Sequence, residues 1–468
     1  MRFALLSLAL ATVTFAGCVD QALPNAKDAA DDLLSLWAGP ALWNDPQNAP
    51  HGDFNYPTLA NPPVGVNVPA WWKPMPAAQL PSHIAGLKHV AQAKDVTAGA
   101  GIAIFGSIAV VPEDAKKAFV VDISDPTDPK VLSTFDTDGR GAAMIPYPDG
   151  RLVTVLAGTA TITVADITDP LHPVVLEPLK PTQGSHKLGV VPGTPIVYNA
   201  ASVGSNDGTP LYGPGAGQVS PDHGMGVTEI FDLTDPENPI HVQDWKNGYS
   251  CHHVFFWNDP AHEKYRAICA GLQYTQIWDT KDPRHPSVIV SIPVHSGVAN
   301  GPSTMASIEM FSHSAGLNAK GNILYVGDEN GGGSLPPGCV ASASTPAGAV
   351  STPIGATWFY DVSDEKDPRL LGYYSPSQDP RVALPMRSCT THHGRLVPDP
   401  EGRDLLAMSY YQDGVILLDF TDVDFAGGQL PKVVDQFADG SDTWETWYYN
   451  GYLFTGDLAR GMDVIQFR

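Results

Sequence analysis

The sequence is poor in positive charge. Its 468 residues include 27 Lys and Arg against 50 Asp and Glu, which gives a formal net charge of −23. Because a nucleic-acid backbone requires a basic surface, this balance argues against DNA or RNA as a partner. It also argues against binding of the folded body to anionic lipid. The plain interpretation is a soluble acidic surface, and a surface that attracts cations is the alternative.

Several catalytic motifs are also missing. The chain has no glycine-rich phosphate loop followed by Lys and Ser or Thr, no Gly-x-Ser-x-Gly elbow and no His-Glu-x-x-His helix. The glycine run at 331–333 is interpreted as a loop rather than a nucleotide site. The sequence alone does not pair Ser and Asp residues with histidines into a triad, so whether the protein is an enzyme stays open.

Long apolar runs are limited to the N-terminus. A short basic start precedes the run from Phe3 to Ala16, which is too short to span a bilayer. It ends in Phe-Ala-Gly-Cys at Cys18, a pattern that resembles a bacterial lipobox. The resemblance implies a signal peptide over residues 1–17 and a lipid on Cys18, and an ordinary signal peptide is the alternative. Val19, where Asp would favour the inner membrane, indicates the outer membrane or cell surface.

Cysteine is scarce. Apart from Cys18, the chain has Cys251, Cys269, Cys339 and Cys389. An even number in an exported protein permits two disulfides, with three possible pairings. The predicted strand layout favours Cys251–Cys269 across one hairpin and Cys339–Cys389 between neighbouring loops. Thiolate binding of a metal is the alternative.

What the sequence does contain is a repeated phrase, Asp-apolar-Ser/Thr-Asp-Pro-x-x-Pro. Proline fixes φ and blocks strand pairing, so each copy should end a strand and turn the chain. A phrase that returns at intervals of about 45 residues or more indicates a repeat architecture. The copies lie at residues 122–129, 166–173, 232–239, 279–286 and, in looser form, 361–368.

Abundant Gly and Pro predict many short strands, and the strands fall into seven units. The last unit has a strand at 444–449, an Asn450-Gly451 hairpin turn and two further strands, one short of four. Residues 86–94 form an unassigned strand ahead of the first unit. These features predict an all-β protein, a seven-bladed β-propeller at 85–468 whose N-terminal strand completes the last blade. Residues 18–84 are predicted to be a Pro/Asn-rich tether.

The repeated phrase, with an apolar strand before it, resembles the LVIVD-repeat family of bacterial propellers over about residues 86–468. The resemblance implies the propeller fold and says little about activity, because the family is defined mainly by its repeat. Insertions at 203–225 and 331–356 depart from the bare repeat. Their Gly, Pro and Ser content predicts surface loops.

Histidines recur at one position of the repeat, the start of the first strand. That strand lines the central channel of a propeller, so equivalent residues of several blades converge on the axis. Imidazoles are ligands for Cu, Zn or Fe, which makes a transition metal the predicted cofactor. The alternative is that each histidine holds a neighbouring blade through a hydrogen bond. The predicted ligands are His186, His252, His253, His313, His392 and His393.

Acidic residues are predicted on the same rim of the propeller. Glu445 follows Trp444 at the histidine position of the last blade, and Asp457 lies in the loop between its second and third strands. In an enzyme either carboxylate is a candidate proton carrier. Other acids in equivalent loops, Asp328 and Glu329 among them, are candidates to orient imidazoles or bind metal.

The sequence therefore predicts an exported, lipid-anchored propeller that binds a metal, a small molecule or a protein partner at a His-rich rim. Its partners would be the membrane, through the lipid, and that rim ligand. One alternative is a copper- or other metal-dependent oxidoreductase resembling methanethiol oxidase and the selenium-binding proteins. The other is a purely structural protein-interaction propeller without metal. Shared shape gives such analogies little weight.

Overall fold

A computed structural model describes most of the chain from residue 78 onward. The predicted signal peptide and Cys18, nearly all of the predicted tether, and Cys339 and Cys389 lie outside the described residues. The described ranges are 78–113, 116–147, 149–158, 161–182, 184–200, 227–248, 251–259, 262–271, 274–293, 311–329, 355–376 and 390–468.

Within these ranges the chain forms 28 β-strands and no α-helix. The strands, numbered β1 to β28 in chain order, are Leu87–Gln92, Ala103–Phe105, Ile108–Glu113, Lys117–Asp122, Lys130–Asp136, Gly139–Pro146, Leu152–Gly158, Ile162–Asp166, Val174–Val175, Lys187–Val190, Ile196–Ala200, Val227–Asp232, Ile240–Lys246, His253–Asp259, Lys264–Gly271, Tyr274–Asp279, Ser287–Pro293, Phe311–Leu317, Ile323–Glu329, Thr357–Asp361, Arg369–Tyr374, Gly394–Val397, Leu405–Ser409, Val415–Asp419, Lys432–Phe437, Thr443–Tyr449, Tyr452–Asp457 and Asp463–Phe467. Among the described residues, none belongs to a helix with the length and apolar character needed to span a bilayer.

The strands form seven four-stranded antiparallel sheets, the blades of a β-propeller. Blades one to six each take four consecutive strands, from β2–β5 to β22–β25. Blade seven takes β26, β27 and β28, and β1 completes it, with Leu87 opposite Phe467 and Lys88 opposite Gln466. This confirms the predicted seven-bladed propeller and its closure by an N-terminal strand, which leaves few open sheet edges.

The repeated phrase forms the turn after the third strand of a blade. In the first copy, Asp122 Oδ1 accepts a hydrogen bond from Ser124 N at 2.8 Å, and the carbonyl of Asp125 accepts one from Asp128 N at 3.0 Å. Aspartate side chains form such turns readily. The phrase therefore stabilises the outer part of each blade. The same first bond recurs at Asp166, Asp232, Asp279, Asp361 and Asp419.

Apolar side chains fill the space between neighbouring blades. Phe454 of blade seven shares one buried cluster with Phe119 and Val121 of blade one. Residues 78–84 also lie on the body, since Ala78 N donates to Asn450 O at 2.8 Å and Ile84 is buried. Asn450 has a φ of 48°, as the predicted hairpin turn requires.

The first strands of successive blades contact one another around the axis, so their side chains share one narrow space. At the start of blade four, the predicted Cys251–Cys269 disulfide joins the residues flanking this space, with Cα atoms 5.5 Å apart. The disulfide ties the entry to β14 to the adjacent strand β15. The backbone that leads into His252 and His253 is therefore covalently fixed.

Candidate metal centre at the propeller axis

Three of the inner strands carry a β-bulge near the end where the chain enters them. The bulged residues are Arg140 in β6, His313 in β18 and Trp444 in β26, because the pairing register shifts across each of them. A bulge adds one residue and re-aims a side chain. In blades three, four and six the corresponding residues lie just before the inner strand, and they are His186, His252 and His392.

Four of these histidines form a continuous arc of rings. The ring centroids of His186 and His252 lie 4.6 Å apart, those of His252 and His313 4.3 Å apart, and those of His313 and His392 4.0 Å apart. Trp444 continues the arc by stacking on His392 at 4.5 Å. One residue from each of five successive blades therefore faces the axis.

The following residues of the same blades form a second arc. His253 and His393 approach each other, with their Nδ1 atoms 3.1 Å apart. The His393 ring also lies 4.6 Å from that of His313, which joins the two arcs. All six predicted histidines are thus brought together, and His186 is the most accessible of them.

The imidazoles offer two sets of three ligand atoms. One set is His186, His252 and His313, and the other is His313, His392 and His393. Within each set the ligand atoms all lie within 4.8 Å of one another. Three nitrogens bound to one Zn²⁺ at about 2.0–2.1 Å lie about 3.4–3.6 Å from one another, so the rings of a set must move closer together to hold one ion. His253 belongs to neither set, and its ring contacts that of His393 at 4.5 Å between centroids.

Hydrogen bonds orient three of the rings. His392 Nδ1 contacts the carbonyl oxygen of Trp444, which only accepts, so Nδ1 carries the proton and Nε2 carries the lone pair. His253 and His393 share a hydrogen bond between their Nδ1 atoms, while the buried Nε2 of His393 has no hydrogen-bond partner among the described residues. Both arrangements resemble those of metal-binding histidines, whose second nitrogen is held by a neighbouring group.

Burial keeps the imidazoles neutral. It is the main cause that lowers the pKa of every one of the six below the ordinary value of 6.5, and nearby positive charge adds to it. For His186 the pKa falls to about 3, through burial and then the charges of Lys187 and Arg140. Neutral imidazole is the form that binds metals. The site is therefore in its ligand form at neutral pH.

A carboxylate and a phenol flank the second set of histidines. Glu329, at the end of β19, lies 3.5 Å from His313 Nε2 and 3.9 Å from His392 Nε2. Tyr411 donates a hydrogen bond to Glu329, and its ring lies 5.1 Å from that of His392. Burial and the Glu329 charge raise the pKa of Tyr411 well above 10, so the phenol stays protonated. Tyr411 thereby fixes the carboxylate beside the histidines.

A cluster of paired charges lies beside the imidazoles, on the same inner strands. Glu445 accepts from Lys187 Nζ at 2.8 Å and from Arg395 at 3.2 Å, and all three side chains are buried. Lys187 also lies 4.6 Å from the centre of the Trp444 ring. Gly141 makes room for it, since an added Cβ would stand 2.6 Å from Lys187 Cδ. Glu445, a predicted proton carrier, is placed as the partner of two cations.

The other predicted acids lie apart from the imidazoles. Asp457 accepts hydrogen bonds from Asp442 N, Thr443 Oγ1 and two backbone amides of the following turn, so it caps that turn. Asp328 accepts from the Trp358 indole, and burial raises its pKa to about 7. Glu329 is the predicted acid that the fold places against the histidines.

Sequence reasoning missed Tyr411, Lys187 and Arg395. Lys187 directly follows His186, and Arg395 stands two residues after His393, so both lie on inner strands where a charge is unusual. A charged residue on a strand predicted to line the axis is a usable signal, because buried charges require partners. Tyr411 has no comparable signal in the sequence. Its φ of 47°, which is rare for a bulky residue, is apparent only in the structure.

Comparison with known proteins identifies no family and no activity. No protein-family model and no curated protein matches the sequence. Among solved structures, Saccharomyces cerevisiae Sqt1 is similar at 11% identity with a TM-score of 0.46, covering 80% of this chain and 82% of that chain. The resemblance to LVIVD-repeat proteins therefore stays a prediction from the repeat.

Proposed function

We propose that this protein is an exported β-propeller that binds a transition-metal ion through histidines at its axis. The observation that carries the proposal is the convergence of six neutral imidazoles from four blades, five of them buried, with two sets of three whose ligand atoms lie within 4.8 Å of one another. A set of nitrogen ligands flanked by one carboxylate suits Cu, Zn or Fe, whereas Mg and Ca prefer oxygen ligands.

The hydrogen bonding supports ligands over purely structural histidines. A structural histidine in a protein interior is expected to hydrogen-bond through its ring, because an unsatisfied buried nitrogen costs about 1–3 kcal/mol. The buried Nε2 of His393 finds no such partner in the described part of the chain. A metal ion at the second histidine set would satisfy it.

Elemental analysis of the purified full chain, after reconstitution with Cu(II), Zn(II) or Fe(II), tests the proposal. We expect at least one ion per chain. The double variant His252→Ala/His392→Ala should lose the metal and keep the β-rich circular dichroism spectrum. The matched control, His172→Ala/His285→Ala, removes two exposed turn histidines and should bind metal as the wild type does.

Two results would overturn the proposal. One is less than about a tenth of an ion per chain after reconstitution with all three metals. The other is equal metal content in the axial double variant and the turn double variant, since that would place the metal away from the axis.

Export and lipid anchoring form part of the same proposal, and they are supported by the N-terminal residues. The apolar run that ends at Cys18 resembles a lipoprotein signal, and Val19 favours the outer membrane or cell surface. Cys18→Ser should release the protein from the membrane fraction. The Cys18→Ser protein staying in that fraction would reject the lipid anchor and leave the metal proposal intact.

A further inference from the structure

We infer that the axis holds two metal ions that share His313. This inference rests on the proposed function and specifies it further. Its basis is that the five ligand histidines fall into two sets with His313 common to both, rather than into one set.

One ion cannot be bound by all five rings. Ligand atoms lie within 4.8 Å of one another inside each set, and the grouping does not extend across the sets. A single ion at about 2.0–2.1 Å from each nitrogen spans only about 4.2 Å between opposite ligands. The His186–His252 end and the His392–His393 end of the arc therefore define separate positions.

His313 stands between the two positions. Its ring contacts that of His252 on one side at 4.3 Å, and those of His392 and His393 on the other at 4.0 and 4.6 Å. The Nε2 atom faces Glu329 at 3.5 Å, which places it towards the His392 position. Nδ1, on the adjacent edge of the ring, is then the atom for the His186–His252 position. His313 bound through both nitrogens bridges the ions as an imidazolate, and its ring N–H proton is released to solvent when the second ion binds.

The two positions differ in charge and access. The His392–His393 position has the Glu329 carboxylate beside it, fixed by Tyr411, and all of these side chains are buried. The other position has only imidazoles, includes the more accessible His186 and has Arg140 near that ring, whereas the charge of Lys187 reaches both positions. The carboxylate position should bind a divalent cation more tightly, because a fixed anion at short range favours it.

Titration of the metal-free full chain with Cu(II) tests the inference. We expect two equivalents per chain in the wild type, one in His186→Ala and one in His393→Ala. The His172→Ala control should keep two. Electron paramagnetic resonance supplies a second readout. The two-copper wild type should show less signal than its copper content, because a shared imidazole couples the spins, and each one-copper variant should show its full signal.

The outcomes separate this inference from the proposed function. Saturation of the wild type at one copper that requires axial histidines overturns the two-ion site and leaves metal binding in place. No copper bound overturns both. Two coppers with full, uncoupled signal overturn the sharing of His313. If an alanine variant fails to fold, His186→Gln and His393→Gln decide the stoichiometry.

Discussion

Two neighbouring groups of side chains line the propeller axis, a charged side and an imidazole side, and they differ in chemistry. On one side Lys187, Arg395 and Glu445 pair their charges within hydrogen-bond distance. On the other side six imidazoles are kept neutral by burial. On the charged side, the two cations share the one carboxylate of Glu445, and each is within hydrogen-bond distance of it. The imidazole side presents ring nitrogens, such as His393 Nε2, that have no hydrogen-bond partner among the described residues.

This chemical difference predicts different roles for the two groups of side chains. A self-paired charge cluster contributes to the folded state only if it is complete, because an isolated buried charge is costly. Loss of one neutral imidazole leaves no unpaired charge, so it should cost less stability. An ion that binds the imidazoles of the folded protein stabilises the folded state. Changes on the charged side should therefore alter stability, and changes on the imidazole side should alter metal binding.

The largest expected effect is on the charged side. Glu445→Gln leaves Lys187 and Arg395 buried without their anion, and removal of one partner from a buried ion pair costs about 3–5 kcal/mol. Urea unfolding should show a loss of this size. Glu177→Gln, which breaks the exposed pair with Lys180, is the control and should unfold as the wild type does. Equal stability of the two variants would contradict a structural role for the cluster.

The next effect is the pH dependence of the imidazole side. The pKa of His252 is lower in the folded protein than its ordinary 6.5, so the unfolded chain binds the extra proton. The free energy of unfolding of the metal-free protein should therefore fall as pH drops below 6.5, by up to about 1.4 kcal/mol per pH unit for each such histidine.

Replacing one ring isolates this contribution. His252→Gln should show a shallower fall between about pH 6.5 and about pH 5 than the wild type, measured by urea unfolding at each pH. The slopes of the variants are compared with that of the wild type, because other groups also change stability over this pH range. Burial raises the pKa of Asp328 to about 7 and that of Asp442 to about 6, so these two groups favour the folded protein as pH falls. His172→Gln removes an exposed ring as the matched control. Identical slopes for His252→Gln and the wild type would refute the neutral, buried state of His252.

The smallest expected effect lies at Tyr411. Tyr411→Phe removes the hydrogen bond to Glu329 and keeps the ring beside His392, so stability should fall by about 1 kcal/mol. Copper affinity should also fall, since Glu329 is no longer fixed. Isothermal titration calorimetry measures that loss, and Tyr265→Phe, which pairs with Asn258 at the end of blade four away from His253, is the control. Unchanged copper affinity in Tyr411→Phe would contradict a contribution of Glu329 to metal binding.

The fold was predictable because its signal is local and repeated. Each Asp-Pro-x-x-Pro turn at Asp122 or Asp232 follows from neighbouring residues, and the turns set the register in which the strands are counted into seven blades. The histidine cluster was predictable for the same reason, as the repeat aligns His252 with His392. The two-set grouping was not, because it depends on the bulge at His313 and on ring orientation. Nor was the Lys187–Glu445 pair, whose members lie 258 residues apart.

X-ray absorption of the copper- or zinc-loaded protein tests the central claim most directly. We expect nitrogen and oxygen ligands at about 2.0–2.1 Å with the outer-shell scattering of imidazole, reduced in His252→Ala/His392→Ala. Sulfur scatterers at about 2.3 Å, or a first shell of oxygen without imidazole, would contradict a histidine site at the axis.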